Sequence, residues 1–124
     1  MSETVQLLNP GLERSRAVRA ARVRVKQQLA ASGQRAASWR VAADLIERPS
    51  PIVLGMRTRD LLLATACTGP DAVDWLLDFA GGRGHRTIHD LGRAERQMLC
   101  FALRAGSRTH VRKRIADLIE ASAR

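Results

Sequence analysis

Apolar residues recur at helical spacing along most of this chain, beginning with one long segment. Asn9-Pro10 predicts a helix start, because Asn caps free amides and Pro suits the first turn, and Ser32-Gly33 predicts its end. One narrow apolar stripe runs between them, formed by Val18, Ala21, Val25 and Leu29. The pattern therefore predicts a long first helix that packs on a core by one edge.

A second helix is predicted over residues 39–48, with Ser38 as its cap and Pro49 as its end. Its predicted apolar face consists of Trp39, Ala42, Leu45 and Ile46. We interpret Trp39 as a core anchor rather than a base-stacking residue. The run 52–54 is too short to found a sheet, so we expect it to plug the core.

Two short apolar runs, 60–66 and 72–80, are predicted to form a helical hairpin around a turn at 67–71. Thr68 and Asp71 have the spacing of a capping box for the second helix, and Gly81 marks its end. Its predicted buried residues are Trp75, Leu76 and Phe79. Helices this short need larger neighbours, so the rest of the chain is expected to pack around this hairpin.

A loop rich in glycine and positive charge, 81–89, precedes a predicted helix over 93–105. Met98, Leu99, Phe101 and Ala102 are its expected core residues. A last amphipathic helix is predicted from Ser107 or Thr109, with Val111, Ile115, Leu118 and Ile119 on one face. Every strong signal is helical, so we predict an all-α fold of five or six helices. Residues 1–8 are expected to be a flexible tail, 9–124 a single helical domain, and 106–124 its C-terminal helix extension.

Charge adds a partner class to this picture. The 124 residues carry 21 Lys and Arg against 12 Asp and Glu, a net charge of +9 with a pI near 11.4. The excess lies at the two ends and in the region from Arg83 to Arg96, since residues 9–35 carry +6 and 104–124 carry +4, whereas the hairpin at 56–80 carries −2. A solvated helix usually mixes charge signs for side-chain pairing, and the first helix has almost no acids. A polyanionic partner is therefore expected.

Other chemistries find less support in the sequence. Only 3% of residues are aromatic, which argues against a platform that stacks single-stranded bases. Cys67 and Cys100 are interpreted as reduced core thiols, and no Cys-x-x-Cys spacing supports a zinc site with His85 and His89. No nucleophile is visibly paired with a base, so we expect no enzyme, no cofactor and no metal. Without a signal sequence or a membrane-length apolar run, a cytoplasmic location is expected.

The order of these parts resembles the actinobacterial integration host factors, a family of nucleoid-associated proteins. Residues 19–33 follow that family's R-x-x-R-x-x-V-K-x-x-L-x-x-S-G run. Further matching positions are Gly55, Met56, Leu61, Leu62, Gly69, Gly81, Arg86, Leu91 and Gly92, so that the resemblance covers about residues 14–103. It implies a long basic helix packed on a helix-two-turn-helix core, and a nucleoid protein that binds and bends double-stranded DNA without strong sequence preference.

The resemblance also implies DNA contacts by Arg19, Arg22, Lys26 and Arg86. The full set of candidate DNA-binding residues is Arg16, Arg19, Arg22, Lys26, Arg57, Arg83, Arg86 and Arg93. A recombinase or another DNA-bound protein is a further expected partner, with the chain acting as a monomer or weak dimer. No membrane partner is expected.

The hairpin turn departs from the family pattern. The family typically has P-G-V-G-K there, where backbone amides and a lysine meet a phosphate. This chain has Cys67-Thr68-Gly69-Pro70-Asp71, in which Pro70 removes a donor and Asp71 introduces a carboxylate. Two alternatives therefore stay open: a protein-interaction adaptor that has lost phosphate binding at this turn and uses its acidic hairpin, and an RNA-binding module.

Overall fold

The computed structural model describes residues 10–81, 86–106 and 117–122, and within these ranges the fold is all-α, as predicted. Its helices are α1 Pro10–Ala30, α2 Arg35–Glu47, α3 Pro51–Leu54, α4 Thr58–Leu63, α5 Pro70–Ala80 and α6 Arg93–Ala105, with a 3-10 helix at Ile88–Asp90. Residues 117–122 are also helical. The predicted tail at 1–8, the loop residues 82–85 and the first part of the last helix, 107–116, lie outside the described residues.

The first helix is a rod that only partly rests on the core. At about 1.5 Å per residue, α1 is about 31 Å long, and it packs against α2 and α3. Residues 11–17 are exposed on every side, whereas Val25 is half-buried and Leu29 is fully buried. The helix ends before Gly33, whose φ of +67° is the left-handed conformation that favours glycine. The predicted stripe therefore packs at its C-terminal end and leaves the N-terminal turns in solvent.

The core lies where α2, α5 and α6 meet. Helix α6 packs along α2 on one side and α5 on the other, and α4 packs on α5. The largest fully buried side chain is Trp39, which confirms its role as a core anchor. Its ring lies against Gly106 at the end of α6, where a Cβ atom would come within 2.6 Å of the ring atom Cε3. Val53 of α3 is also buried, so the short run 52–54 fills the core as predicted.

Ser38 does not cap α2, and that prediction is wrong. The helix begins at Arg35, three residues before Ser38, with Gln34 as its cap residue. Ser38 instead lies fully buried inside the helix, where its hydroxyl donates to the carbonyl of Leu29 and accepts from the backbone N–H of Ala66 at 2.9 Å. One side chain therefore joins α1, α2 and the turn after α4.

The predicted Thr68–Asp71 capping box is also absent, because Thr68 is used elsewhere. Gly69 is the cap residue of α5, and no side chain caps it. The Thr68 hydroxyl accepts from the indole N–H of Trp39 at 2.9 Å and donates to the Ala66 carbonyl at 3.1 Å. Two N–H groups of Arg35 reach the Cys67 carbonyl at 2.6 and 2.9 Å, while Cys67 itself has a φ of +56°. The first turn and a half of α2 thus holds the hairpin turn in place.

Burial on α5 and α6 follows the predicted pattern only in part. Leu76, Leu99 and Ala102 are buried as expected, and Gly81 ends α5 with a φ of +120°. Trp75 is half-buried, and the three predicted core residues Phe79, Met98 and Phe101 are exposed. The core face of α6 is instead formed by Leu99, Cys100, Ala102 and Leu103, which turns Met98 and Phe101 outward. Of the last helix, Ile119 packs on the core and Leu118 is exposed.

Replacing Ser38 by alanine is expected to destabilise the protein by about 2 kcal/mol, because two buried backbone groups lose their partner. Urea denaturation followed by circular dichroism measures this change. The matched control is Ser15→Ala, since within the described residues the Ser15 hydroxyl bonds only to the Gly11 carbonyl, on the exposed part of α1. Equal stability of the two variants would contradict the role of Ser38.

Gly106→Ala is expected to cost about 1–3 kcal/mol, because the new methyl group overlaps the Trp39 ring in a packed core. Gly11→Ala is the control, because it lies inside α1 with open space around the Cβ position. That substitution should stabilise the helix by roughly 0.5–1 kcal/mol. If a thermal or urea melt shifted the stability of both variants in the same direction, the Trp39 ring would not be closely packed against Gly106.

Candidate nucleic-acid interface

The cations of α1 form the most extensive charged surface of the described chain. Arg16, Arg19 and Lys26 are exposed and follow one another at spacings of three and seven, so they lie along one side of the helix. Arg14 and Arg24 are exposed on other sides. None of these five side chains has an ion-pair partner within the described residues, and the only acid of α1 is Glu13. Their charge is therefore available to a ligand.

Arg22 has a second task inside the fold. Its guanidinium donates to the Gly55 carbonyl at 3.2 Å, and a Cβ on Gly55 would lie 3.0 Å from the Arg22 Nη2 atom. The side chain is half-buried, and its Nε atom is buried without a hydrogen-bond partner in the described part of the chain. Arg22 thus joins α1 to the end of α3. A DNA contact by its remaining N–H groups stays a prediction.

The segment after Gly55 brings two more candidate residues beside α1. Arg57 pairs through its backbone with Thr87. Next to it, the backbone N–H and the hydroxyl of Thr58 both donate to the Arg86 carbonyl at 2.9 Å. These bonds fix the end of the glycine-rich loop to the connection between α3 and α4. The backbones of Arg57 and Arg86 therefore form one edge, and Arg22 of α1 bonds Gly55, two residues before Arg57.

One described candidate lies apart from these residues. Arg93 is exposed at the start of α6, where it lines a groove of about 940 Å³ between α6 and the end of α2, and no described contact joins it to α1. Arg83 lies outside the described residues. The structure thus places Arg16, Arg19, Arg22 and Lys26 on α1, and Arg22 links that helix to Gly55, near the edge formed by the Arg57 and Arg86 backbones.

Four other arginines stabilise the fold, which the charge pattern alone did not reveal. Arg35 bonds the Cys67 carbonyl and Arg96 bonds the Ile88 carbonyl, at 3.1 Å in the second case. Arg59 pairs with Asp74, joining α4 to α5. Arg104 bonds Asp44 at 3.0 Å and Glu47 at 2.6 Å, joining α6 to α2. The hydrogen bond from Arg104 lowers the pKa of Glu47, and the same contacts raise the pKa of Arg104.

The turn before α5 carries negative charge near its free amides. Asp71 is exposed in the first turn of the helix, where a carboxylate interacts favourably with the positive end of the helix dipole. Ile119 and Glu120 of the last helix line the same recess as Arg35, Gly69 and Asp71. Two carboxylates therefore lie where the family resemblance implies a phosphate.

Other kinds of site find no support in the described ranges. There, no group of three His, Cys, Asp or Glu residues is arranged to hold a metal ion. Both cysteines are free thiols. Cys100 is in the core, and its burial raises the pKa of the thiol, whereas Cys67 is exposed, so the prediction of a core position is wrong for Cys67. None of the described helices is long and apolar enough to span a membrane.

The fold and surface thus define an all-α protein with a cationic first helix. Comparison with protein-family models, with curated proteins and with solved structures found no match. The family resemblance accordingly stays a hypothesis that rests on the residues quoted for it.

Arg22→Ala is expected to lower the free energy of unfolding by about 1 kcal/mol, because the Gly55 carbonyl loses its donor. Arg19→Ala removes the same charge from the same helix at an exposed position, and should change stability by less than about 0.5 kcal/mol. Urea denaturation of both variants at one salt concentration measures the difference. Equal stabilities of the two variants would show that the bond from Arg22 to the Gly55 carbonyl does not stabilise the fold.

Proposed function

We propose that this protein binds double-stranded DNA along α1 and the edge formed by Arg57 and Arg86. The observation that carries the proposal is the row Arg16, Arg19 and Lys26, which projects into solvent with no ion-pair partner in the described chain. Unpaired cations repel one another, so a sequence selected for stability alone would pair them with acids. A phosphate backbone supplies the missing negative charge.

The geometry favours a duplex over a small anion. The candidate cations extend along a helix of about 31 Å rather than converging on one pocket. Arginine guanidinium groups can grip phosphate in two places or enter a narrow minor groove, which suits binding without strong sequence preference. Arg22 joins the rod to Gly55, two residues before Arg57, and the Arg57 backbone pairs with that of Thr87, next to Arg86. A duplex that touches both surfaces would bend to do so.

The resemblance to actinobacterial integration host factors supports the same proposal and gives it a setting. It implies an architectural, nucleoid-associated role, in which the protein compacts or bends DNA and assists a recombinase or another DNA-bound protein. It implies no catalysis and no cofactor. Binding would depend on α1 rather than on the altered turn before α5, where Asp71 and Glu120 oppose a phosphate.

Binding to a labelled duplex of about 25 base pairs should weaken with salt at a log-log slope of roughly −4 to −5, since Arg16, Arg19, Lys26, Arg57 and Arg86 provide five phosphate contacts. The double variant Arg19→Ala/Lys26→Ala should make that slope shallower by roughly 2. Fluorescence anisotropy across a salt series measures both slopes. Unlabelled duplex should compete better than structured RNA.

The matched control is Arg40→Ala, compared with Arg19→Ala alone, because each lowers the net charge by one and Arg40 is exposed on α2. Arg40→Ala should leave the slope unchanged. A slope near zero for the wild type, or an equal effect of both variants, would contradict the proposal. Better competition by structured RNA would favour the RNA-binding alternative, and weak binding insensitive to every variant would favour the protein-interaction adaptor.

A further inference from the structure

Three aromatic side chains form a stacked row across the outer surface of α5 and α6. The ring centroids of Trp75 and Phe79 are 5.6 Å apart, those of Phe79 and Phe101 are 6.5 Å apart, and the planes differ by 21° and 14°. Phe101 is 64% exposed, Met98 beside it is 43% exposed and Phe79 is 38% exposed. Large apolar side chains gathered in one patch are typical of an interaction surface. We call the exposed surface formed by Phe79, Met98 and Phe101 the aromatic seam, which leaves out the half-buried Trp75.

The two sides of the aromatic seam carry opposite charge. On the α5 side lie the exposed Asp71, Asp74 and Asp78, which line a recess that Ile119 and Ser122 of this chain's last helix also line. Asp74 pairs with Arg59. On the α6 side, the groove of about 940 Å³ is lined by Arg93, Arg96 and Arg104, with Glu47 at its far wall. Within the described residues, Asp78 and Arg93 have no ion-pair partner. The seam is thus bordered by an acidic flank and a basic flank.

We propose that the aromatic seam is the interface of a two-fold symmetric dimer of this chain. A two-fold axis through the seam stacks Phe101 and Phe79 of one copy on those of the other. The same rotation exchanges the flanks, so that the acidic flank of each copy meets the basic flank of its partner. A self-complementary surface of this kind is what an isologous dimer requires.

The groove beside α6 gives this dimer a place for the partner's α5. Leu91, Cys100 and Phe101 supply apolar lining, and Arg93 stands at the rim. The C-terminal end of α5 offers the exposed Phe79 beside Asp78, which matches that lining in both apolarity and charge. Aromatic residues at the centre with charged residues at the rim are the usual anatomy of a protein interface.

The dimer is tested with the full-length chain by sedimentation velocity from micromolar to near-millimolar concentration. Wild type should show a reversible monomer–dimer equilibrium. Phe101→Gln should weaken it by roughly tenfold or more, as the loss of a central aromatic residue does at protein interfaces. Leu12→Gln is the matched control, because Leu12 is similarly exposed, at 48%, on the far end of α1. That variant should dimerise like wild type.

A charge-reversal pair tests the orientation of the two copies. Asp78→Arg places a cation near the end of α5, and Arg93→Glu places an acid at the start of α6, so both substitutions suit the helix dipole and preserve folding. Each variant alone sets like charges on both flanks and should be mainly monomeric. Mixing the two variants restores opposite charges at both flanks, so a heterodimer should form at about the wild-type strength.

Each other outcome would overturn the proposal. A wild-type protein that stays monomeric throughout the concentration range has no such interface. A dimer that tolerates Phe101→Gln uses another surface, and charge variants that stay monomeric when mixed contradict the exchange of flanks. The result is independent of DNA binding, because sedimentation is measured without nucleic acid and the α1 cations Arg16, Arg19 and Lys26 are unchanged.

Discussion

The buried hydroxyl of Ser38 is the interaction on which the rest of the arrangement depends. It bonds to the last buried turn of α1 through Leu29 and to the hairpin turn through Ala66. Arg35 and Trp39, its neighbours on α2, bond the same turn. Because α1 offers the core only a narrow apolar stripe, this polar anchor specifies where the helix sits. A helix so fixed at its C-terminal end can leave its cationic N-terminal turns in solvent.

The arginines divide into two groups with different consequences. Arg22, Arg35 and Arg104 satisfy carbonyl or carboxylate groups that are distant in sequence, and Arg96 satisfies the Ile88 carbonyl eight residues before it. Because Arg22 holds Gly55, the segment that follows is positioned beside α1 and pairs with the end of the glycine-rich loop. The arginines that stabilise the fold therefore also fix the positions of the segments that carry exposed cations. Net charge alone says nothing about this division, which depends on the contact each guanidinium makes.

Helical periodicity and breakers predicted the all-α class, the start of α1, the extent of α6 and the glycine that ends α5. Helical periodicity does not predict contacts between segments that are distant in sequence. It therefore predicts Ser38 and Thr68 as local helix caps, although both side chains bond across the fold. A signal for Ser38 was present, because it lies four residues before Ala42 on the buried face. Arg22 similarly lies seven residues before Leu29, on the stripe. The exposure of Met98 and Phe101 depends on how α6 turns between α2 and α5, which one helix cannot specify.

The few aromatic residues of this chain are divided between the core and the surface. There are two Trp, two Phe and no Tyr, and an aromatic side chain contributes more to a core than any other when buried. Trp39 is buried in that way. Phe79 of α5 and Phe101 of α6 are instead exposed, and their rings stack across the surface between the two helices. Burying them would have stabilised a small domain at little cost. Their position on the surface, between flanks of opposite charge and on helices other than α1, favours a protein contact that leaves the cationic helix free for its own ligand.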